Sequence, residues 1–376
     1  MKKIFAILSL FIAFILAIAY IKFDMLAVNK NYGDAGLGEG TVVYTAQKSG
    51  FPIHVMDMAT LPKLEEGIAA NAKDKKLILW LGNSQLHGVN QYKEGQHNSL
   101  EFLHDSLAKQ GRYTVGFSIA NANLQEHYVL LKYLTSRHNI SELIIPVFFD
   151  DTRETGLRGD LIRDEIRNVI CDSTDTTLTG LANLEAFKKV KPEENGDADM
   201  KALNATTQEK VEKYLNNKMN GVSTVWDSRA YLRSMIIYDY LFKFRNTVFN
   251  ISPSTKRKLI PLRYNLNMDA FQAICRLCKE KGIKLLVYIP PIRNDSEQPY
   301  ILEEYNSFKN EILVYKEKFD FDLINCENVV PAKYWGLKKS TSIGETNLEL
   351  DFMHFQDTGH LLLADTLYSN IKSDIH

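Results

Sequence analysis

Residues 77–85 read LILWLGNSQ, an apolar run that ends in a glycine followed by three polar residues. Such a run suits a strand buried on both faces, as in a parallel sheet covered by helices. A serine that follows the strand on a tight turn is presented above the sheet edge where open α/β sheets bind ligands. The stretch therefore indicates an α/β fold with Ser84 at its functional edge, although a serine here also suits a helix N-cap.

Strand-like and helix-like segments alternate along the rest of the chain. Further strands are predicted at 114–119, 143–149, 284–290 and 321–325. Helices are predicted at 97–110, 123–137, 268–281, 301–318 and 357–372. This alternation predicts a three-layer α/β/α domain around a five-stranded parallel sheet. Residues 155–265 interrupt the pattern and are predicted to form a helical insertion between the third and fourth strands.

The N-terminal segment predicts an extracytoplasmic location. Residues 4–21 carry no charge and follow Lys2 and Lys3, and at ~1.5 Å per residue they span roughly 27 Å, enough for a bilayer core. The charge asymmetry predicts a single-pass anchor with its N-terminus in the cytoplasm and the domain outside. A cleaved signal peptide is the alternative, because Ala17-Ile18-Ala19 is an Ala-x-Ala site.

This reading divides the chain into three parts. Residues 1–22 form the transmembrane anchor or signal, residues 23–70 a stalk and lead-in, and residues 71–376 the α/β domain with its insertion. Repeated glycines and few periodic signals in 23–70 favour the stalk.

Composition excludes several classes of protein. The 376 residues include 45 Lys+Arg against 46 Asp+Glu, so the chain has no excess of positive charge with which to bind nucleic acid. The sequence has no Walker A segment, dinucleotide fingerprint or clustered metal ligands, so we expect no cofactor and no metal. Four cysteines are too few for a disulfide scaffold, and for Cys275 and Cys278 packing, a disulfide or redox role and a metal role stay open. The states of Cys171 and Cys326 also stay open.

The chain closes with two overlapping Asp-x-x-His pairs. Asp351 precedes His354, and Asp357 precedes His360. A carboxylate three residues before a histidine can hold its Nδ1, which leaves Nε2 free to take a proton from a serine hydroxyl. Either aspartate could instead cap the last helix. His360 begins the apolar run LLLA and is interpreted as a packed helix residue.

The stretch DFMHFQDTGHLLLADTL (351–367) resembles the final block of the SGNH/GDSL hydrolase superfamily, and Gly82-Asn83-Ser84 resembles its first. The last block matches at Asp351, His354, Asp357, Gly359, Ala364 and Leu367. The resemblance covers roughly residues 75–155 and 270–372 and implies a flavodoxin-like SGNH fold. It also implies a catalytic triad of Ser84, His354 as the base and Asp351.

Two middle blocks depart from the family pattern. The glycine of the second block falls on Asn121, and the asparagine of the third block, an oxyanion donor in the family, falls on Asp150. An ionised carboxylate cannot donate a hydrogen bond. We therefore expect Asp150 to be turned away and paired with Arg153 or Arg158. The candidate oxyanion residues are then Asn121, Asn123 and Arg153, together with the backbone N–H of Ser84.

Membrane-anchored members of this superfamily, the D protein of teichoic-acid D-alanylation and the anchored proteins of alginate acetylation, are similar in architecture. The resemblance implies a serine esterase or acyltransferase acting on O-acyl, above all O-acetyl, esters of a cell-envelope glycan. Its partners would be the membrane, an acylated glycan or acyl donor, and a multi-spanning O-acyltransferase. Tyr334 and Trp335 lie in the loop before Asp351 and are candidate substrate contacts, with anchoring of that loop at the surface as the alternative. The alternative is a non-catalytic tethered protein that binds a glycan or an acyltransferase.

Overall fold

The computed structural model describes residues 42–86, 88–154, 156–158, 161, 164–171, 243–249, 252, 255–340 and 348–372. The described residues fall into two compact units. One unit holds 243–249, 252, 338–340 and 348–349, and the other holds the remaining described residues, including the main sheet. The predicted anchor at 4–21 and the centre of the predicted insertion lie outside the described residues.

Twelve strands are described in chain order. They are β1 (Val42–Val43), β2 (Gln47–Lys48), β3 (Phe51–Pro52), β4 (His54–Val55), β5 (Lys76–Gly82), β6 (Gly88–Val89), β7 (Arg112–Ser118), β8 (Ile140–Pro146), β9 (Lys284–Ile289), β10 (Asp322–Asn325), β11 (Trp335–Lys339) and β12 (Leu348–Phe355). Six of them form the main sheet in the order β10-β9-β8-β5-β7-β4. All five pairings in it are parallel. Three two-stranded sheets, β1-β6, β2-β3 and β11-β12, complete the described strands.

Eight α-helices are described. They are α1 (Leu61–Asn71), α2 (Ser99–Ala108), α3 (Leu124–Arg137), α4 (Asp164–Cys171), α5 (Lys243–Val248), α6 (Pro261–Lys281), α7 (Leu302–Phe319) and α8 (Asp357–Lys372). The predicted helix at 268–281 begins seven residues earlier, at Pro261. A proline at the first helical position is favourable because it removes an N–H that has no partner there. The same helix ends at Gly282 with φ +66°, a left-handed conformation that suits glycine.

Strand β5 shows why the fold has three layers. Its side chains alternate between two hydrophobic cores: Leu77, Leu79 and Leu81 join one, and Ile78 and Trp80 join the other. Apolar residues of α1, α3, α6 and α7 fill the first core, and those of α2 and α8 fill the second. The predicted α/β/α layering with a parallel sheet is confirmed.

The strand count is a correction, because the sheet has six strands and not five. The additional strand is β4, which pairs with β7 through His54 and Val55. Ile53 and Val55 are buried, and the helix α1 that follows packs into the same core. Residues 42–70, expected within a stalk and lead-in, thus include an edge strand of the main sheet. A strand of two residues is too short to show periodicity in the sequence.

No helix in the described part of the chain is long and apolar enough to cross a membrane.

His54 contributes a pH-dependent stability to this fold. It is 1% exposed, accepts a hydrogen bond from Asn98 at Nδ1 (3.0 Å) and meets Ser118 Oγ through Nε2 (2.6 Å). Burial, with a smaller contribution from His360, lowers the pKa of His54 from 6.5 to about 3. The unfolded chain therefore binds a proton that the folded chain does not between these two pH values, and acid destabilises the fold.

We expect His54→Gln to weaken this pH dependence. As the pH falls from about 6.5 towards about 3, the free energy of unfolding of the native protein should decline relative to that of the variant. The expected slope of the difference is roughly 1.4 kcal/mol per pH unit. Denaturant titrations across this pH range measure it. Parallel stability curves for the two proteins would contradict the assignment.

Candidate active site

Ser84 lies on a turn at the carboxyl end of β5, the centre of the sheet. The preceding residue holds the turn: Asn83 Oδ1 accepts the backbone N–H of Gln85 (3.0 Å), and Asn83 Nδ2 contacts both carboxyl oxygens of Asp151 (3.1 and 3.2 Å). Gly82 leaves no room for a side chain, since a Cβ there would lie 2.2 Å from Leu86 Cδ1. These contacts hold the turn in place, and Ser84 on it is half-buried.

Asp351 and His354 form a direct pair near the end of β12. Asp351 Oδ2 accepts the Nδ1–H of His354 at 2.9 Å, and Oδ1 accepts the backbone N–H groups of Met353 (2.8 Å) and His354 (3.2 Å). The side chains are 4% and 11% exposed, respectively. This carboxylate accepts the Nδ1–H, so the neutral imidazole presents at Nε2 the lone pair that a general base requires.

Gly88 brings this pair next to the Ser84 turn. A Cβ placed on Gly88 would lie 3.5 Å from Cδ2 of His354 and 3.9 Å from the backbone oxygen of Ser84. The imidazole and the serine backbone thus flank the same glycine. Within the described residues no hydrogen bond joins the Ser84 hydroxyl to His354, and such contacts are often long before substrate binds.

His360 has a different environment. It is fully buried, its Nδ1 accepts the N–H of Ser99 (3.2 Å), and its Nε2–H donates to the backbone oxygen of Gly88 (2.8 Å). Burial lowers the pKa of His360 to about 4, so the ring is neutral near pH 7. Both ring nitrogens are occupied by structural contacts, which agrees with its interpretation as a packed helix residue.

The second block places backbone donors at the same sheet edge. Asn121 has φ +54°, a left-handed conformation that asparagine adopts more readily than most residues. No hydrogen bond within the described part of the chain uses the backbone N–H of Ser84 or of Asn121. Asn123 is committed elsewhere: it caps α3 in a capping box with Glu126, and its Nδ2 donates to Gly156 O (2.9 Å).

Asp150 is paired with the expected Arg153 and with two further residues that were not expected. Arg257 pairs with its Oδ2, and Tyr300 donates a hydrogen bond to the same oxygen (2.9 Å). Arg153 lies 3.8 Å from Oδ1, but its Nε donates to Lys258 O (2.9 Å). Arg158 instead pairs with Glu126 (2.8 Å), so of the two arginines expected beside Asp150 it is Arg153 that forms the ion pair. Arg257 could not be identified from sequence because it lies 107 residues from Asp150.

The neighbouring Asp151 is a second buried carboxyl group beside the nucleophile turn. It is 3% exposed, and burial raises its pKa well above the usual value. Asn83 is its hydrogen-bond partner among the described residues. The contact with Asn83 supports the turn, and the raised pKa disfavours a negative charge on Asp151 beside Ser84.

Tyr334 and Trp335 differ in exposure. Trp335 is 3% exposed, donates its Nε1–H to Val330 O (3.0 Å) and packs edge-on against Phe355 at 5.4 Å between ring centroids. These contacts place Trp335 in the core rather than on a substrate surface, which corrects the expectation for this residue. Tyr334 is half-buried, with Lys333 Nζ 4.8 Å from its ring centroid.

Metal and thiol chemistry find no ready centre in the part of the chain that is described. Within those residues no group of three or more His, Cys, Asp or Glu side chains could hold a metal ion. Cys275, Cys278 and Cys326 are buried and free. Burial raises the pKa of Cys278 and of Cys326 to about 12, so both are unreactive thiols at neutral pH.

We expect Asp150→Asn to leave kcat unchanged or lower, and not to raise it, because Arg257 and Tyr300 already hold the native carboxylate. The substitution should lower the free energy of unfolding by roughly 1 kcal/mol, because Arg257 loses its charged partner. Thermal unfolding and ester-hydrolysis rates measure the two effects. Asp105→Asn, which removes an exposed carboxylate paired with Lys48, is the control. A large rise in kcat for Asp150→Asn would show that the native carboxylate impairs the site.

No family model and no curated protein sequence matches the chain. Solved structures do match. An acetyl xylan esterase is 12% identical, with 78% of this chain and 99% of that chain covered and a TM-score of 0.35. A GDSL-like lipase from Bacteroides thetaiotaomicron is 10% identical, with 82% and 98% covered and a TM-score of 0.36. An acetylxylan esterase from Geobacillus stearothermophilus is 7% identical, with 80% and 96% covered and a TM-score of 0.39.

Proposed function

We propose that this protein is a serine esterase or acyltransferase of the SGNH type that acts on O-acyl esters. The observation that carries the proposal is the Asp351–His354 pair, joined at 2.9 Å, whose imidazole shares Gly88 as a neighbour with the Ser84 turn. A histidine held by an aspartate beside the turn that carries a serine can activate the hydroxyl as a nucleophile when the ester binds.

The reaction begins with attack of Ser84 Oγ on the acyl carbonyl carbon. His354 Nε2 accepts the hydroxyl proton as the new C–O bond forms, and Asp351 stabilises the resulting imidazolium. When the tetrahedral intermediate collapses, the bond to the alcohol breaks and His354 returns the proton to the leaving oxygen. Water, or an acceptor hydroxyl in a transferase, then attacks the acyl-enzyme with the same proton transfers in turn.

The negative charge of the intermediate needs donors that are already oriented. We assign this role to the backbone N–H groups of Ser84 and Asn121, which no hydrogen bond in the described residues uses. A negative charge on Asp150 would repel that of the intermediate. Arg257 offsets this charge by pairing with Asp150, and Tyr300 donates a hydrogen bond to it. Arg153 is engaged with Lys258 and is not needed as a donor in this scheme.

The proposed substrate is an O-acetyl or similar small acyl ester on a cell-envelope glycan. Support comes from the sequence: the charge pattern of residues 1–22 is that of an export signal or an N-in membrane anchor, which would place the domain outside the cytoplasm. A multi-spanning O-acyltransferase would then be a natural membrane partner. Release of acetate from an acetylated polysaccharide by the purified protein tests the substrate class.

A non-catalytic tethered protein that binds a glycan or an acyltransferase is the second candidate. One observation favours it: Asp150 occupies the position where the resembling family keeps an oxyanion donor. A fluorophosphonate probe separates the two candidates, since it reacts with an activated serine and not with an ordinary one. We expect the full-length protein to be labelled on Ser84 and the Ser84→Ala variant to remain unlabelled. A native protein that stays unlabelled while binding a glycan would favour the second candidate.

A further inference from the structure

The loop that follows β6 reaches the carboxylate of Asp351. Asn90 is fully buried, and its Nδ2 donates to Asp351 Oδ2 at 3.1 Å. The same oxygen accepts the Nδ1–H of His354, while Oδ1 accepts two backbone N–H groups. Both oxygens of Asp351 are thus held, and Asn90 supplies a side-chain donor from outside β12.

Gly336 has no side chain, and the Asn90 side chain occupies the space that this leaves. A Cβ on Gly336 would lie 1.7 Å from Asn90 Nδ2 and 2.0 Å from its Cγ, so the amide fills the space that any other residue would need. Arg293 donates hydrogen bonds to the backbone of both Gly336 and Asp351. It is 5% exposed, and its Nη1 donates to Gly336 O (2.9 Å) and Asp351 O (3.4 Å).

Gln91 attaches the same loop to Leu337. Its side-chain amide bonds both backbone groups of Leu337: Nε2 donates to the carbonyl (2.9 Å), and Oε1 accepts the N–H (3.1 Å). Gln91 also has φ +49°, a left-handed conformation that is costly for a residue with a Cβ. Such a conformation persists where surrounding contacts stabilise it. Here the two hydrogen bonds to Leu337 stabilise it, and they position the neighbouring Asn90.

We propose that Asn90 is a positioning residue for the catalytic aspartate and that Gly336 is required because it admits the Asn90 amide. The proposal rests on the proposed serine mechanism. By holding Oδ2, Asn90 fixes the plane of the carboxylate that receives the Nδ1–H of His354. Without it Oδ2 loses a donor while Oδ1 keeps its backbone donors, so the carboxylate plane, and with it the imidazole, is aligned less precisely with Ser84. A misplacement of about 1 Å can cost a factor of about 100 in rate.

Ester hydrolysis by the full-length protein tests the proposal first. We expect Asn90→Ala to lower kcat by about 10- to 100-fold while KM changes little, because the residue acts on the reacting groups and not on the bound ester. Gly336→Ala should give the same pattern by displacing the amide. Asn71→Ala is the control: it removes an asparagine of α1 that donates to Gly67 O, and kcat should stay at the native value.

A double-mutant cycle shows whether the two positions act together. In Asn90→Gly the space opposite Gly336 is empty, so adding Gly336→Ala should lower kcat little further. The combined loss should therefore be much smaller than the product of the two single losses. Single losses that simply multiply would show that Gly336 acts independently of Asn90 and would overturn this part of the proposal.

The Nδ1–H proton signal of His354 provides a readout that does not depend on turnover. It is assigned by its loss in His354→Ala, and we expect it to shift or broaden in both Asn90→Ala and Gly336→Ala. An unchanged signal together with native kcat in Asn90→Ala would overturn the positioning role. If the native protein hydrolyses no ester, the proposed function fails, and the proton signal still decides whether Asn90 orients the Asp351–His354 pair.

Discussion

Replacing His354 by alanine is expected to reduce kcat by a factor on the order of 10⁶, the scale typical of losing the base of a serine triad. The reason is geometric, since His354 has its Nδ1 on Asp351 and its ring beside Gly88 and the Ser84 turn. Its replacement leaves the serine hydroxyl with no base to accept its proton. Steady-state hydrolysis of an activated acetyl ester measures the loss, and circular dichroism verifies that the variant is folded.

His360→Ala is the matched control for this prediction. His360 lies six residues away and is also close to Gly88, but both its ring nitrogens serve structural hydrogen bonds. Its removal should cost roughly 1–3 kcal/mol of stability and leave most of the turnover of the folded protein. If His360→Ala abolishes turnover while His354→Ala retains it, the choice between the two Asp-x-x-His pairs is wrong.

Asp351→Asn is expected to lower kcat by about 10⁴ with little change in fold. The amide has the shape of the carboxylate, so the fold survives, but its single oxygen can accept either from Asn90 or from the two backbone N–H groups and not from both. It cannot stabilise the imidazolium as a carboxylate does, and it can turn its NH₂ towards Nδ1, which favours the wrong tautomer of His354. Turnover measured across pH, with crystallography or thermal unfolding as the structural control, tests this expectation.

A comparable loss in Asp357→Asn would contradict the assignment. Asp357 begins α8 and its Oδ1 accepts the backbone N–H of His97 at 2.7 Å. The contact ties a loop to a helix N-terminus and does not involve His354. Only stability should fall in this variant.

The layered fold was predictable because its signals are local. The buried run at 77–81 and the helix 357–372 were located from apolar patterning alone, and the structure places them in β5 and α8. The edge strand β4 was missed because two residues carry no period and one of them is His54. Its burial depends on Asn98 and Ser118, which are far away in sequence.

The site was predictable only where its residues are close in sequence or follow a strand end. Asp351 and His354 are three residues apart, and Ser84 lies on the turn directly after β5. The partners of Asp150 and Asp351 could not be inferred, since Arg257 and Asn90 meet them through the tertiary fold. Trp335 was misassigned because an aromatic residue in a loop has the same sequence signal whether it packs inward or outward.

The acyl-enzyme provides the most direct test of the central claim that Ser84 is the nucleophile. The full-length protein is mixed with an activated acetyl ester, quenched in acid during turnover, digested and analysed by mass spectrometry. The account predicts one added acetyl group on the peptide containing Ser84, absent from the Ser84→Ala variant. Turnover that proceeds with no acetyl group on Ser84, or with the acetyl group on another residue, would contradict the account.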